Sequence, residues 1–384
     1  MIQANILGEL HQIQELIIAL VEDLDEKSFR SQYHPDLSPP GWHLGHCVYT
    51  ECYWLQEVVR GDNRVTAALE ALYTPARTPR PERGGLLPDL DHLLRWAQQQ
   101  YTDNLEFLAN LAPPYTEHAL FRENYLPLFL IQHHSQHYET MLMVLTEREL
   151  SGDHSGYEVR HTLQPAAPDH ETRSIAAGHY RVGGEAPWAF DNEMPPQQAE
   201  LGPFDIAIRP TSNAEFLCFM EEGGYRQRDL WSEAGWQYRC DREIRQPGHW
   251  RQNTKGDWYG VALRGPCDLA PEEPVFGISW HEAQAYAKWV RGRLPHEHQW
   301  EVACRLHQLE STGRVWEWCG NAFYPYAGFR AFPYPEYSTT WFDDNHFSLR
   351  GGSLHTRPPV RRPSFRNFYE PEKRHIFAGL RPAF

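Results

Sequence analysis

The hydrophobic periodicity of the chain changes near residue 151, and this change restricts the folds that the chain can adopt. Before it, apolar residues recur three and four positions apart, as between Ile6 and Leu10, which is typical of amphipathic helices. From residue 176 onward helical runs are few, whereas glycine, proline and tryptophan are frequent. The length of 384 residues also favours two domains. We therefore predict an α+β protein with domains at 1–155 and 176–384, joined by a linker at 156–175.

The first domain is predicted to be a four-helix bundle. Its four periodic segments are Ile6–Val21, Gly41–Arg60, Asp89–Leu111 and Leu126–Arg148. Residues 74–85, rich in proline and arginine, would form a long connection, and long loops are often functional. The core of such a bundle is a common place for metal sites built from facing helices.

The second domain is predicted to combine short strands with long irregular loops. One helical run covers Val275–Val290, with Ser279 or Trp280 near its start. We expect Trp316, Trp318 and Arg350 to fasten loops together in a domain with little regular structure.

Charge and composition exclude several classes of protein. The formal charge of −15 argues against partners such as nucleic acids and anionic membranes. No apolar run approaches the roughly 20 residues that span a bilayer, and the first 23 residues follow an amphipathic pattern unlike a signal peptide. The seven cysteines include no Cys-x-x-Cys pair. We therefore expect a cytoplasmic protein with free thiols, acting on small molecules without nucleic-acid or membrane partners.

A histidine pair in the fourth helix carries the clearest chemical signal. His133 and His137 are four residues apart, so on a helix their imidazoles project from one face and can bind one metal ion. A third candidate, His46, lies in the second helix. Three neutral imidazoles leave open coordination positions, as catalysis requires. We therefore predict a metalloenzyme.

The histidines also have less specific interpretations. His133 and His137 alone would also suit a solvated helix face, and His46 a hydrogen-bonded histidine of the core. By helix geometry, His43 and His134 are expected to point away from the faces of their neighbours. Three imidazoles do not select among zinc, iron, copper and nickel.

The side chains around the pair carry further expectations. Gln132 and Glu139 are candidates to orient the ligands, and Glu139 would also serve as the general base of a zinc hydrolase.

Six short motifs, taken in order, resemble those of the ergothioneine-biosynthesis sulfoxide synthases and their selenoneine synthase relatives. In the bundle they are Trp-x-x-x-His at 42–46 and Gln-His-x-x-x-His-x-Glu-Thr-Met at 132–141. In the second domain they are Arg-Leu-Pro-x-Glu-x-x-Trp-Glu at 293–301, Gly-x-Val-Trp-Glu-Trp at 313–318, Arg-Gly-Gly-Ser at 350–353 and Phe-Arg-Asn at 365–367. The resemblance covers nearly the whole chain.

The resemblance implies a fold, a cofactor and a reaction. The fold is a DinB-like four-helix bundle followed by a C-type-lectin-like domain of the formylglycine-generating-enzyme (sulfatase-modifying factor) type. His46, His133 and His137 would hold a non-haem iron(II). The reaction, with O2 as co-substrate, would join the sulfur of cysteine or γ-glutamylcysteine to the imidazole of hercynine (trimethylated histidine) and give a sulfoxide.

The resemblance also assigns roles outside the metal ligands. Tyr326 is the best match to the tyrosine that donates a proton during sulfoxide formation, with Tyr324 second. Arg80 and Arg83 are spaced like the arginines that bind a carboxylate of the thiol donor, although both also suit a solvated loop.

The segment expected to meet the trimethylammonium group departs from the family pattern. Relatives often carry Asn-Trp-Asp, whereas this chain has Asn367, Phe368 and Tyr369. Aromatic faces for the cation remain, but the carboxylate is missing. The degree of methylation that the acceptor needs is therefore open.

Other functions are compatible with these motifs. A selenoneine synthase would join a selenosugar to hercynine, and an ovothiol-type synthase would use histidine. A DinB-like metal-dependent thiol transferase or hydrolase would turn over with zinc and without oxygen. A formylglycine-generating oxidase needs a cysteine pair, for which Cys304 and Cys319 lack a supporting motif.

Overall fold

The computed structural model describes residues 2–169 and 171–384, which form two compact units. The first unit, Met1–Ser151, is helical, and the second, Gly152–Phe384, contains short strands and helices. The predicted α+β class is therefore confirmed.

The first unit is built on four long helices. Its helices are α1 (Ala4–Glu22), α2 (Glu26–Arg30), α3 (Pro40–Cys52), α4 (Glu70–Tyr73), α5 (Arg80–Leu86), α6 (Leu90–Ala109) and α7 (Tyr125–Leu150). A π-helical segment, Tyr53–Val59, continues α3. Helices α1 and α3 each pack against both α6 and α7, which gives the predicted four-helix bundle.

The buried faces of α1 and α7 explain the distribution of apolar residues in their sequences. Helix α1 buries a stripe that includes Ile6, Leu10, Ile13 and Ile17, as its periodicity predicts. In contrast, α7 is buried on most sides along its length. Apolar residues are consequently spread around α7, and its polar residues inside the bundle need partners there.

The connection expected at residues 74–85 contains a short helix. Proline at the start of α5 suits a first turn, whose N–H groups need no helical partner. Gly84 lies against the backbone of the α2 segment, where an added Cβ would come within 2.1 Å of the carbonyl oxygen of Arg30. This contact holds the connection on the bundle.

The second unit contains several small sheets. Its strands are β1 (Thr172–Ile175), β2 (Gly178–Val182), β3 (Gln197–Leu201), β4 (Phe204–Ala207), β5 (Trp250–Gln252), β6 (Trp258–Ala262), β7 (Gly265–Cys267), β8 (Trp316–Ala322), β9 (Phe347–Arg350), β10 (Asn367–Tyr369) and β11 (Ala378–Gly379). Antiparallel pairs are β1–β4 and β2–β3, and β5-β6-β7 form an antiparallel sheet. The sheet β10-β9-β8-β11 is antiparallel except for β11, which runs parallel to β8.

The helices of this unit are α8 (Asn213–Glu221), α9 (Glu233–Asp241), α10 (Trp280–Trp289) and α11 (Glu297–Arg305). Ser279 caps α10 and, with Glu282, forms a capping box, as the Ser-x-x-Glu spacing allows. The helix predicted near Ser279 is therefore present.

The segment expected to be a linker, 156–175, is part of the second unit. The carboxylate of Asp268 accepts hydrogen bonds from the Tyr157 hydroxyl at 2.9 Å and from the backbone N–H groups of Arg160 and His161. The last residues of the segment form β1, which pairs with β4. Its linker-like composition is compatible with order because Asp268 satisfies three of its donors.

Buried ion pairs fasten the loops of the second unit. Glu297 is fully buried and accepts hydrogen bonds from Arg350 at 2.9 Å and from Arg366 at 2.8 and 2.7 Å. Burial alone would raise the pKa of Glu297, but the two guanidinium groups hold that pKa well below its ordinary value. Trp316, Trp318 and Arg350 are all buried, in agreement with their expected structural role.

Two features bear on the environment of the protein. All seven cysteines are free. Among the described residues, no helix has the length and apolar character that crossing a membrane requires.

Candidate metal centre

Three histidines meet between α3 and α7. His46 comes from α3, and His133 and His137 come from successive turns of α7. One ring nitrogen of each lies within 4.8 Å of the others. The ring centroids are 5.3 Å apart for His46 and His133, 4.7 Å for His46 and His137, and 4.5 Å for His133 and His137. The three predicted ligands are therefore brought together.

The ring of His46 is oriented by a backbone carbonyl. Its Nδ1 lies 2.7 Å from the carbonyl oxygen of Tyr73, which can only accept, so Nδ1 carries the proton. Nε2 is left with a lone pair. Gly45 permits this arrangement, because a Cβ there would lie 2.3 Å from the ring of Tyr73.

The ring of His137 is paired with that of His43. Their Nδ1 atoms are 3.1 Å apart, and the His43 side chain is buried. Within the described residues, Nε2 of His43 has no hydrogen-bond partner. His43 was expected to point away from the candidate ligands, yet it contacts one of them because the packing of α3 on α7 brings the two helices together.

The ring of His133 is connected to a buried carboxylate through His134. The Nδ1 atoms of His133 and His134 are 3.3 Å apart, and Nε2 of His134 lies 3.1 Å from Oε2 of Glu51. Glu51 is fully buried and also accepts N–H groups from Gln14 and Asn104. His134, also expected to point away, therefore contacts its neighbour on α7.

The donor set fits a divalent transition metal. Each of the three rings has its Nδ1 in a hydrogen-bond contact, and the Nδ1–H of His46 leaves Nε2 of that ring available for coordination. Burial lowers the pKa of His46 to about 4, although the hydrogen bond to Tyr73 opposes the shift. Burial also lowers the pKa values of His133 and His137 well below 6.5. The imidazoles are thus neutral near pH 7, the form that binds metal.

Several residues around the ligands are not evident from motif spacing. Gln14, Glu51 and Asn104 are buried polar residues on three different bundle helices. Gln14 offers a signal in the sequence, because it lies four residues after Leu10 and three before Ile17 on the apolar stripe of α1. In the structure it is 1% exposed. Tyr73 contributes its backbone carbonyl, a group that every residue type carries, so the sequence gives no indication of this contact.

The two α7 residues expected to orient the ligands both lie inside the bundle. The amide nitrogen of Gln132 donates to the carbonyl of Leu128 within the helix at 3.3 Å. Glu139 is buried. The orienting groups seen at the ligand rings are His43, His134 and the carbonyl of Tyr73.

The two arginines proposed for substrate binding differ in their environment. Arg80 is exposed, whereas Arg83 is 4% exposed. Arg83 donates to the carbonyls of Thr78 at 3.0 Å and Pro75 at 2.6 Å and to the hydroxyl of Ser38 at 2.5 Å. Three of its five N–H groups are thereby used within the bundle.

The two candidate tyrosines lie in the second unit. The hydroxyl of Tyr326 accepts from Arg350 at 3.0 Å, and the residue is 3% exposed. Tyr324 is 38% exposed, and its hydroxyl lies 2.8 Å from Nε2 of His296. Burial raises the pKa of both phenols. Tyr326 is thus hydrogen-bonded to the buried ion pair of Arg350 and Glu297, whereas the side chain of Tyr324 is partly exposed to solvent.

The residues proposed to bind the trimethylammonium group form strand β10. Asn367, Phe368 and Tyr369 are all half-buried. Phe368 stacks on Phe323 with ring centroids 4.2 Å apart, and Trp341 lies 6.0 Å from the same ring. The second unit therefore provides an aromatic cluster at this segment.

Comparison with known proteins agrees with the two-unit architecture. The DinB superfamily matches residues 9–141, and the sulfatase-modifying factor enzyme 1-like domain family matches residues 160–312. The hercynine oxygenase of Mycolicibacterium thermoresistibile is 31% identical over 447 aligned positions, covering 100% of this chain and 95% of that protein. The hercynine oxygenase of Mycolicibacterium smegmatis is 29% identical, covering 98% of this chain and 97% of that protein.

A partial relative is found outside the bacteria. Ergothioneine biosynthesis protein 1 of Schizosaccharomyces pombe is 26% identical over 230 positions, which cover 50% of this chain and 27% of that protein. The full-length matches, the order of the two domains and the three convergent histidines agree with one another. The chain therefore belongs to the family of the hercynine oxygenases, the ergothioneine sulfoxide synthase type that its motifs predicted.

Proposed function

We propose that this protein is a non-haem iron enzyme that uses O2 to form a carbon–sulfur bond on the imidazole of hercynine. The convergence of His46, His133 and His137 is the observation that carries the proposal. Membership of the hercynine oxygenase family supports the choice of acceptor. Cysteine and γ-glutamylcysteine are the proposed thiol donors.

The proposed reaction balances with dioxygen as the sole oxidant. Hercynine loses the hydrogen on the carbon between its ring nitrogens, and the thiol loses its S–H hydrogen. One oxygen atom becomes the sulfoxide oxygen, and the other leaves as water with the two hydrogens. Iron(II) held by the three imidazoles would supply redox chemistry with O2 and open positions for the substrates.

The chain's own residues prepare such a site in three ways. The Nδ1 hydrogen bonds of the ligand histidines hold their rings in place, so little reorganisation accompanies metal binding. Burial keeps those rings neutral. His137 is partly exposed, whereas His46 and His133 are buried, so the side of His137 is the accessible one. Substrates held together there would react as neighbours, which lowers the entropic part of the barrier.

Aerobic turnover assays test this function. Iron-loaded protein is incubated with hercynine or histidine and each of three donors, cysteine, γ-glutamylcysteine and a selenosugar, and products are identified by mass spectrometry. We expect a sulfoxide adduct that gains one labelled oxygen from ¹⁸O2. Product with the selenosugar alone would instead establish a selenoneine synthase, and product from histidine an ovothiol-type enzyme. Turnover with zinc in the absence of O2 would indicate a thiol transferase or hydrolase.

A further inference from the structure

A line of buried side chains leads from a carboxylate to one candidate ligand. It runs from Glu51 on α3 to His134 and then to His133 on α7, with contacts of 3.1 and 3.3 Å. The exposed fractions of the three residues are 0%, 0% and 7%. We call this set the Glu51 line.

The hydrogen-bond donors around Glu51 determine where the protons lie. Its two oxygens accept N–H groups from Gln14, both at 3.0 Å, and from Asn104 at 3.1 Å. A carboxylate in this environment acts as an acceptor, so Nε2 of His134 donates to it. In a neutral imidazole the other nitrogen is then an acceptor, so Nδ1 of His134 receives the Nδ1–H of His133. The lone pair of His133 is consequently on Nε2.

We propose that Glu51 and His134 are positioning residues that fix His133 in the tautomer required for metal binding. The proposal rests on the proposed function only in taking His133 as a metal ligand. The carboxylate also polarises the two imidazoles in sequence, which makes Nε2 of His133 a stronger donor to a metal. The opposite tautomer would place a proton on the atom that must coordinate.

The hydrogen-bond contacts of the other two ligands lead to a backbone carbonyl and to a histidine. His46 donates to the backbone carbonyl of Tyr73, which no side-chain substitution removes. His137 pairs with His43, whose Nε2 has no partner among the residues described here. Variants of Glu51 and His134 therefore probe the contribution of one ligand.

A competing interpretation of the same atoms is a second metal site. Cys47, His133 and His134 also offer ligand atoms within 4.8 Å of one another. A metal there would replace the hydrogen bond between the two histidines. The Cys47→Ser variant distinguishes the two arrangements, because it removes a ligand of the second site and leaves the contacts from Glu51 to His134 and from His134 to His133 in place.

The experiment measures Co(II) affinity and the Co(II) absorption spectrum in the full-length protein. The variants are Glu51→Gln, His134→Asn, His134→Phe and Cys47→Ser. Ser135→Ala is the matched control, because Ser135 is a buried polar residue next to His134 whose hydroxyl donates to the carbonyl of Ile131 within the helix. Thermal unfolding of the metal-free proteins reports any loss of structure separately.

We expect Glu51→Gln and His134→Phe to weaken Co(II) binding about 10- to 100-fold and to shift the spectrum. His134→Asn offers an amide oxygen to the Nδ1–H of His133, so it should bind Co(II) more tightly than His134→Phe. Ser135→Ala and Cys47→Ser should bind Co(II) with the affinity of the wild type and with the same stoichiometry of one ion per chain.

Several results would overturn the proposal. These are wild-type affinity in both Glu51→Gln and His134→Phe, equal losses in His134→Asn and His134→Phe, or a lower metal stoichiometry in Cys47→Ser. If the affinities follow expectation but hercynine yields no product, the proposed function fails and the Glu51 line stands. If the wild type binds no metal, both fail.

Discussion

The indole ring of Trp42 is stacked on the imidazole of His46, with centroids 4.8 Å apart and ring planes 8° from parallel. The guanidinium carbon of Arg83 lies over the same indole, 4.0 Å from its centroid. The indole N–H donates to the carbonyl of Leu72 at 2.8 Å, which fixes the plane of the ring. A candidate ligand on α3 is thereby packed on an aromatic side chain that α5 helps to hold.

Substitutions of Arg83 and Arg80 test whether each arginine stabilises the fold or binds substrate. We expect Arg83→Met to lower the free energy of unfolding by about 1–3 kcal/mol, because buried carbonyls lose their donor. Arg80→Met is the control, and its effect on stability should stay within about 0.5 kcal/mol because Arg80 is exposed. A higher KM for the thiol donor in Arg80→Met, with stability unchanged, would support its proposed binding role. A wild-type KM in that variant would refute it.

Removal of one ligand should abolish iron binding. We expect His137→Ala to lose both bound iron and activity, because two imidazoles leave the ion without its third protein ligand. His92→Ala, at an exposed position on α6, should retain both. Iron content is measured after anaerobic loading and desalting. Full iron content and activity in His137→Ala would contradict the ligand assignment.

The contact between Gly45 and Tyr73 predicts a remote effect on the metal. An added Cβ at Gly45 would lie 2.3 Å from the Tyr73 ring, so this ring must move, and Tyr73 is also the residue whose carbonyl holds His46. We expect Gly45→Ala to destabilise the fold by about 1–3 kcal/mol and to weaken metal binding. Gly8→Ala in α1 meets no atom within 4 Å and should stabilise the fold by about 0.5–1 kcal/mol. Unchanged metal affinity in Gly45→Ala would show that the metal site does not depend on the packing of Tyr73 against Gly45.

Paired substitutions should distinguish the two candidate tyrosines. Tyr326→Phe removes a buried acceptor of Arg350, so we expect it to cost about 1–3 kcal/mol of stability. Tyr324→Phe should leave stability nearly unchanged, because the residue is 38% exposed. If Tyr324 donates a proton in the reaction, its phenylalanine variant should reduce sulfoxide formation about 100-fold or more. Normal sulfoxide yield from a stable Tyr324→Phe enzyme would exclude that role.

The buried His281 predicts a dependence of stability on pH. Burial lowers its pKa to about 4, against about 6.5 in the unfolded chain. Between these values the unfolded state binds more protons, so this contribution to stability decreases as the pH falls from 6.5 to 4. The decrease is at most about 1.4 kcal/mol for each pH unit. The free energies of unfolding of the wild type and His281→Gln are measured by denaturant unfolding, monitored by tryptophan fluorescence. The difference between them should change with this slope between pH 6.5 and pH 4. A difference independent of pH would contradict the assignment.

Local sequence patterns were sufficient for much of the architecture. The four bundle helices were predicted within a few residues, because apolar spacing alone specifies an amphipathic helix. Ser279 or Trp280 was predicted near the start of a helix, and α10 begins at Trp280 after the cap Ser279, which interacts with Glu282 within a single turn. The segment 156–175 was predicted as a linker, but hydrogen bonds to Asp268 hold it on the second unit. Asp268 is more than 100 residues away, so these bonds produce no pattern within the segment itself.

The sequence by itself determined that His133 and His137 share one face of a helix, because four residues make about one turn. The family resemblance added His46 to the pair. Only the tertiary structure decided which groups surround these rings. Glu51 and His134 are 83 residues apart, and His43 and His137 are 94 apart, so their contacts depend on how α3 packs against α7. Helix geometry predicts the direction of a side chain from its own helix, but the partner that it meets is set by packing between helices.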